Sequence, residues 1–189
     1  MKQIQITDNA LKPEECRSII DWFEANTGAQ QAGRIGSQTL NSKSKASTDI
    51  PRWFHLQDMP ERTIEKSLRE GGADYGRRRP HIFQTFSKLI VDNSYVLQKY
   101  KPGEGYYALH CEVGSPANMM RVLAWMVYLN DVPDGGTHFS EQEFDCEARE
   151  GRLVIWPAYF THMHRGIVSK TGTKYIATGW IIWDGVRMD

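Results

Sequence analysis

The stretch YVLQKYKPGEGYYALHCEVG, residues 95–114, carries two apolar and aromatic runs separated by the turn signal KPGEG. Short runs of this kind, bounded by Gly and Pro, read as strands. The pattern continues to the C-terminal end: RVLAWMVYLN at 121–130, EFDCEA at 143–148, GRLVIWP at 151–157 and KYIATGWIIW at 174–183, with the turn signals VGSPAN and DVPDGG between them. Six or more strands with tight turns predict an antiparallel double-stranded β-helix, a jelly roll. The preceding region reads differently. Pro13 to about Thr27 has Pro and two glutamates in its first turn and Cys16, Ile19, Ile20 and Phe23 on one stripe, which predicts a helix. Further helices are predicted over roughly 60–70 and 80–92. The fold class is therefore α+β, with N-terminal helices packed on one sheet of the jelly roll. The chain reads as one domain, 1–189, in which 1–93 is a helical support and loop region and 94–189 the jelly-roll core.

Bulk properties narrow the function. The chain has 189 residues with 23 Lys+Arg and 23 Asp+Glu, so its formal net charge is zero and no general attraction to nucleic acid or an anionic membrane is expected. The basic run Arg77, Arg78 and Arg79 reads as a solvated loop. No run approaches the roughly 18 apolar residues of a membrane span, and no signal-peptide pattern opens the chain. Three widely spaced cysteines without a CxxC pair indicate neither a disulfide framework nor a zinc knuckle, which fits a reducing, cytoplasmic location. Residues 28–50 are polar and rich in Gly, Ser and Lys; with Trp53 and His55 just beyond, they are a candidate substrate-covering element.

Within the opening stretch, His110 and Glu112 are two positions apart. On a strand they would share a face, and a buried unpaired carboxylate there would cost several kcal/mol, roughly, which a metal ion relieves. The same i, i+2 spacing recurs in His162 and His164, at the end of the apolar run RLVIWPAYF. One further His ligand completes a 2-His-1-carboxylate triad with open positions, the pattern of non-haem Fe(II) oxygenases.

The motifs YKPGEGYYALHCE, VYLNDVPDGGTHF, GRLVIWPAYFTHMHRG and TGTKYIATGW, in this order, resemble the core of the 2-oxoglutarate and Fe(II)-dependent dioxygenases, specifically the prolyl 4-hydroxylase-like branch. The resemblance implies a site. His110, Glu112 and His164 would be the metal ligands, with His162 an outer neighbour. Lys174, ten residues after His164, would pair with the distal carboxylate of 2-oxoglutarate, assisted by Tyr128 and Tyr100. Tyr107, Arg121 and Trp180 would meet a prolyl substrate, while His138, Met119 and Met120 read as rim and packing residues. The implied cofactors are Fe(II), 2-oxoglutarate and O2, with room for ascorbate as reductant. The implied partner is a proline-containing peptide or protein, not nucleic acid or membrane. The alternatives are an oxygenase acting on a small molecule or nucleic acid, and a cupin-like or non-catalytic metal-binding protein. One departure is that Glu112 stands where most of the family has Asp.

Overall fold

The computed structural model describes residues 3–35 and 39–184. In chain order its regular elements are β1 (Gln5–Thr7), α1 (Pro13–Ala25), β2 (Gln31–Ala32), β3 (Thr48–Trp53), α2 (Met59–Arg78), α3 (His81–Thr85), β4 (Leu89–Tyr100), β5 (Arg121–Tyr128), β6 (Val132–Phe139), β7 (Phe144–Ala148), β8 (Leu153–Pro157), β9 (His164–Ile167) and β10 (Lys174–Trp183). Seven strands form a main sheet ordered β1-β8-β5-β10-β4-β3-β2, and three form a minor sheet ordered β7-β6-β9. Every pairing is antiparallel.

Alternation along the strands sorts the core into two layers. On β5, Leu123, Trp125 and Val127 face the helices, where they pack with Cys16, Ile19 and Phe23 of α1 and with Ile64, Leu68 and Tyr75 of α2. Ala124, Met126 and Tyr128 face the other way and join Val132, Phe139, Cys146 and Trp156 inside the jelly roll. Helices on one face and a second sheet over the other is the predicted architecture.

Several elements depart from the sequence reading. Helix α2 is longer than 60–70 because Gly71 does not stop it: a Cβ there would come within 2.4 Å of Leu153 Cδ2, so the glycine lets the helix lie close on β8. Arg77 and Arg78 thus sit in its last turn, both paired with Asp74, rather than in a loop. The expected helix 80–92 stops at Thr85. Leu89–Val91 instead pairs with Ile181–Trp183, because a short apolar run is ambiguous and β10, already paired with β5 on one side, takes it on the other. Strand β4 therefore crosses the expected boundary at residue 93, and β1, β2 and β3 bring the N-terminal region into the main sheet. The DVPDGG turn is the start of β6, where the register jumps between Val132 and Gly136. Gly136 has φ +139° and its missing Cβ would lie 2.3 Å from the Cys146 carbonyl oxygen, so only glycine fits.

Candidate metal centre and its cavity

Residues 105–114 do not form a regular strand. Isolated bridges hold them instead: Lys45 pairs with Tyr106, and His110 pairs with His164. In the second bridge His110 N–H donates to the His164 carbonyl at 2.9 Å and His164 N–H returns the bond at 2.8 Å. Glu112 N–H then donates to the Ala158 carbonyl at 2.9 Å. The predicted shared face of His110 and Glu112 is reached through these cross-links, not through strand alternation.

The result brings one ligand atom from each of His110, Glu112 and His164 within 4.8 Å of one another. Glu112 Oε1 lies 3.3 Å from His164 Nε2 and 3.9 Å from His110 Nε2. Both imidazoles are oriented by main-chain acceptors: Nδ1 of His110 meets the Ala108 carbonyl at 2.9 Å, and Nδ1 of His164 the His162 carbonyl at 2.9 Å. A carbonyl can only accept, so each Nδ1 carries a proton and Nε2 is the ring atom turned toward the carboxylate and able to ligate a metal. Burial, with the neighbouring His164 charge, pushes His110 down to about 4 against the pull of Glu112. Burial alone would raise Glu112, but His164, His110 and Trp180 outweigh it and bring the carboxyl to about 2. Neutral imidazole and ionised carboxylate are the forms that bind a metal. His162 is buried nearby but is not in this group.

The triad opens on a cavity of about 650 Å³, of a size that suits small ligands and substrate segments. At its deep end lies Lys174, only 4% exposed. Its Nζ donates to the Gly136 and Ile167 carbonyls at 3.2 and 3.3 Å, and burial pushes it down to about 8. Among the described residues no carboxylate pairs with it. Tyr100 lies beside it, with the ammonium 5.2 Å from its ring centre, and donates to Gln98 Oε1 at 2.8 Å. Tyr128 is fully buried; its hydroxyl shares a 2.7 Å hydrogen bond with Thr137, and Thr137 lines the cavity. Burial raises both tyrosines well above the usual phenol range, so both stay neutral.

The three substrate positions separate. Arg121 and Trp180 line the main cavity, with the guanidinium stacked 3.4 Å from the indole ring centre. Tyr107 does not line it. It borders a separate pocket with His138, Asp145 and Arg165, and its hydroxyl donates to the Gly103 carbonyl at 2.8 Å. Tyr106 faces the main cavity instead, stacked on His110 at 3.7 Å and 12°. Without strand alternation in this segment, parity could not pick between the two tyrosines.

Sequence reasoning also missed Gln98, Lys45 and Asp49. Gln98 shares a strand face with Tyr100, a signal that was there to use. Lys45 and Asp49 form a buried 2.7 Å ion pair in the cavity wall, reinforced by Ser47 at 2.8 Å and Gln98 at 3.3 Å. Nothing local marks them within the polar segment 28–50. That segment is anchored: Ala46 N–H donates to the Gly105 carbonyl, and β2 pairs with β3. Trp53 lines the cavity, whereas His55 turns to Asn93. Positions 36–38 of the covering element lie outside the described residues.

Residues 95–182 match the family model of the 2OG-Fe(II) oxygenase superfamily. This region reads as a 2-oxoglutarate-dependent dioxygenase core, a class that uses Fe(II), 2-oxoglutarate and O2. Its jelly roll has the fold of solved prolyl hydroxylases. A viral collagen prolyl hydroxylase from Paramecium Bursaria Chlorella virus-1, solved as a 2-oxoglutarate complex, shares 22% identity over 95% of this chain and 96% of that one, with a TM-score of 0.69. A Pseudomonas putida prolyl-4-hydroxylase shares 13% identity, with coverage of 95% and 92% and a TM-score of 0.72. A Trichoplax adhaerens prolyl hydroxylase, solved with a hypoxia-inducible-factor peptide fragment, shares 14%, with coverage of 97% and 85% and a TM-score of 0.74. No curated protein sequence matches. Among the described residues no helix is long and apolar enough to cross a membrane.

Proposed function

We propose that the chain hydroxylates a prolyl residue in a peptide or protein, with release of succinate and CO2. The observation that carries the reading is Lys174: a buried ammonium that faces the same cavity as the triad and, among the described residues, has carbonyl oxygens and no carboxylate as its hydrogen-bond partners. A dicarboxylate that reaches from the triad to Lys174 satisfies both ends at once.

In this reading His110, Glu112 and His164 hold the iron, which with 2-oxoglutarate and O2 supplies the oxidising power for hydroxylation. The chain's own residues do the rest. Lys174 binds the distal carboxylate of 2-oxoglutarate as a charge-assisted donor. Tyr100 keeps a neutral ring against that ammonium, and Tyr128 fixes the Thr137 hydroxyl at the cavity wall. Arg121 and Trp180 bound the space next to Glu112 where a substrate side chain would sit, and Tyr106 walls the opposite side beside His110. Tyr107 would reach substrate only from the neighbouring pocket. Peptide as the substrate class is supported by the breadth of the cavity, which extends past Trp53, and by the peptide seen in the Trichoplax enzyme. A cytoplasmic location belongs to the same proposal and is supported by three unpaired cysteines.

The test is spectroscopic first. Under anaerobic conditions Fe(II) followed by 2-oxoglutarate should give a visible charge-transfer band that weakens in Lys174→Ala and is lost in Glu112→Ala. Succinate release should then rise with proline-containing peptides and not with the same peptides carrying alanine for proline. A band without peptide stimulation removes the prolyl assignment, and metal binding without a band removes the 2-oxoglutarate pocket.

A further inference from the structure

Glu112 uses its two carboxylate oxygens for different things. Oε1 turns toward the two imidazoles, while Oε2 accepts a hydrogen bond from the Trp180 indole N–H at 2.7 Å. Trp180 is itself held: the Arg121 guanidinium lies over its ring at 3.4 Å, and Arg121 Nη1 donates to the Glu112 main-chain carbonyl at 3.1 Å while standing 3.9 Å from Oε2. The three residues close a ring around one carboxylate. Resting on the reading of His110, Glu112 and His164 as metal ligands, we propose that Trp180, braced by Arg121, is a positioning residue that fixes Glu112 as a one-oxygen ligand and fits this site to glutamate.

The chemistry explains why such a clamp is needed. Glutamate has one more rotatable bond than aspartate, so an unrestrained Glu112 could swing its carboxylate away from the imidazoles or offer both oxygens to the metal. A donor on Oε2 removes both freedoms, and partners of this kind orient ligands and tune their basicity. The fold delivers the donor deliberately. Along β10, Lys174, Ile176, Thr178 and Trp180 share the cavity face, and the register of β10 on β4 shifts between Gly179 and Ile181, at Trp180 itself. Such irregularities re-aim a side chain next to a site. Arg121 is the first residue of β5 and pairs with Ile182 just after a second register shift. An aspartate at 112 would draw its carboxylate back by about one bond length, roughly 1.5 Å, and could not hold the imidazole side and Trp180 together.

The clamp is read by metal affinity alone, without 2-oxoglutarate or peptide, so a role in substrate contact does not interfere. Co(II) is titrated into the apo protein and followed by its visible spectrum. Trp180→Phe, which keeps a ring under Arg121 but loses the donor, should weaken Co(II) binding by about 10–100-fold, the range for losing a ligand's outer partner. In a Glu112→Asp background the same change should alter affinity by less than about twofold, since coupling is confined to residues in contact. Arg121→Met, a milder lesion, should weaken binding several-fold. Wild-type affinity in Trp180→Phe, or an equal loss in both backgrounds, overturns the clamp while leaving the triad in place. Retention of Co(II) binding by Glu112→Ala overturns the triad itself. Should Trp180→Phe not fold, Arg121→Met carries the test, and unchanged affinity there overturns the bracing.

Discussion

Two charges buried on opposite faces of the main sheet, Glu61 and Lys174, are handled in opposite ways. On the helix side, Glu61 of α2 is fully buried and fully met: Arg52 approaches with Nε at 2.7 Å and Nη2 at 2.9 Å, and the Tyr95 hydroxyl donates at 2.7 Å. Arg52 also stacks on Trp22 and reaches Asp58, and the pairing raises its pKa. On the jelly-roll side, Lys174 is as deeply buried, yet among the described residues it meets carbonyls and no carboxylate. Charge closed among a protein's own groups ties elements together, here α2 to β3 and β4. Charge that faces a cavity with no protein counter-charge belongs to ligand handling.

Removing one partner on each face should therefore give opposite results. Glu61→Ala leaves Arg52 with Asp58 as its remaining carboxylate and the buried Tyr95 hydroxyl without its acceptor, and should cost up to about 3–5 kcal/mol of unfolding free energy, measured by denaturant titration, while the folded fraction binds Co(II) as wild type does. Lys174→Met should do the reverse. It removes an ammonium that burial disfavours and should stabilise the apo protein by roughly 1–3 kcal/mol, yet weaken 2-oxoglutarate binding by about 10–100-fold through loss of a charge-assisted contact. Destabilisation by Lys174→Met would put the lysine in the same structural class as Glu61 and erase the distinction between the faces.

The legibility of the two faces differs for the same reason. The proposed triad and Lys174 are readable because a metal site would demand particular residue types at short spacings, as in HCE, HMH and the ten-residue step to Lys174. The jelly roll is readable from alternation and turns: β10 was bounded at 174–183 from sequence, as the structure has it. What was not legible depends on tertiary pairing. Leu89–Val91 looks helical until β10 lies beside it, and the contact of the Trp180 N–H with Glu112 cannot be read until the register of β10 is known. The Arg52–Glu61 and Lys45–Asp49 pairs join segments whose proximity no local pattern announces.

The pH dependence of cosubstrate binding sharpens the contrast. The folded-state pKa of Lys174 is lowered to about 8 from 10.5 by burial, so at neutral pH the lysine is charged and its burial counts against stability. That penalty fades as pH rises from about 8 toward 10.5, where the amine is neutral in both states. Binding of a carboxylate needs the ammonium. Affinity for 2-oxoglutarate should therefore fall as pH rises through 8, by about tenfold at pH 9 for a group of that pKa, while Lys174→Arg, if it binds, stays flat over the range. Isothermal titration at several pH values checks this. A flat profile in the wild type would mean that the ammonium is not what the cosubstrate meets.

The smallest effect concerns the wall between the triad and the segment 28–50. Tyr106 stacks on His110 and is bridged through its main chain to Lys45, whose ammonium is 5.8 Å from the tyrosine ring. The stack holds one face of the imidazole, while the Ala108 carbonyl fixes its edge. Loss of the ring in Tyr106→Leu should leave the tautomer intact and release only the tilt, worth about 0.5–1.5 kcal/mol for a stacked pair. The expected outcome is a several-fold weaker Co(II) affinity with little change in stability, since the main-chain bridge to Lys45 does not depend on the side chain. Lys45→Met should change metal affinity less than Tyr106→Leu does, because Asp49 pairs with its charge and the effect of Lys45 on His110 is the smallest of those acting there. If Lys45→Met weakened Co(II) binding as much as Tyr106→Leu, the Lys45–Asp49 pair would act on the metal through the tyrosine, and the cavity face would contain closed charge of its own that serves the ligand site.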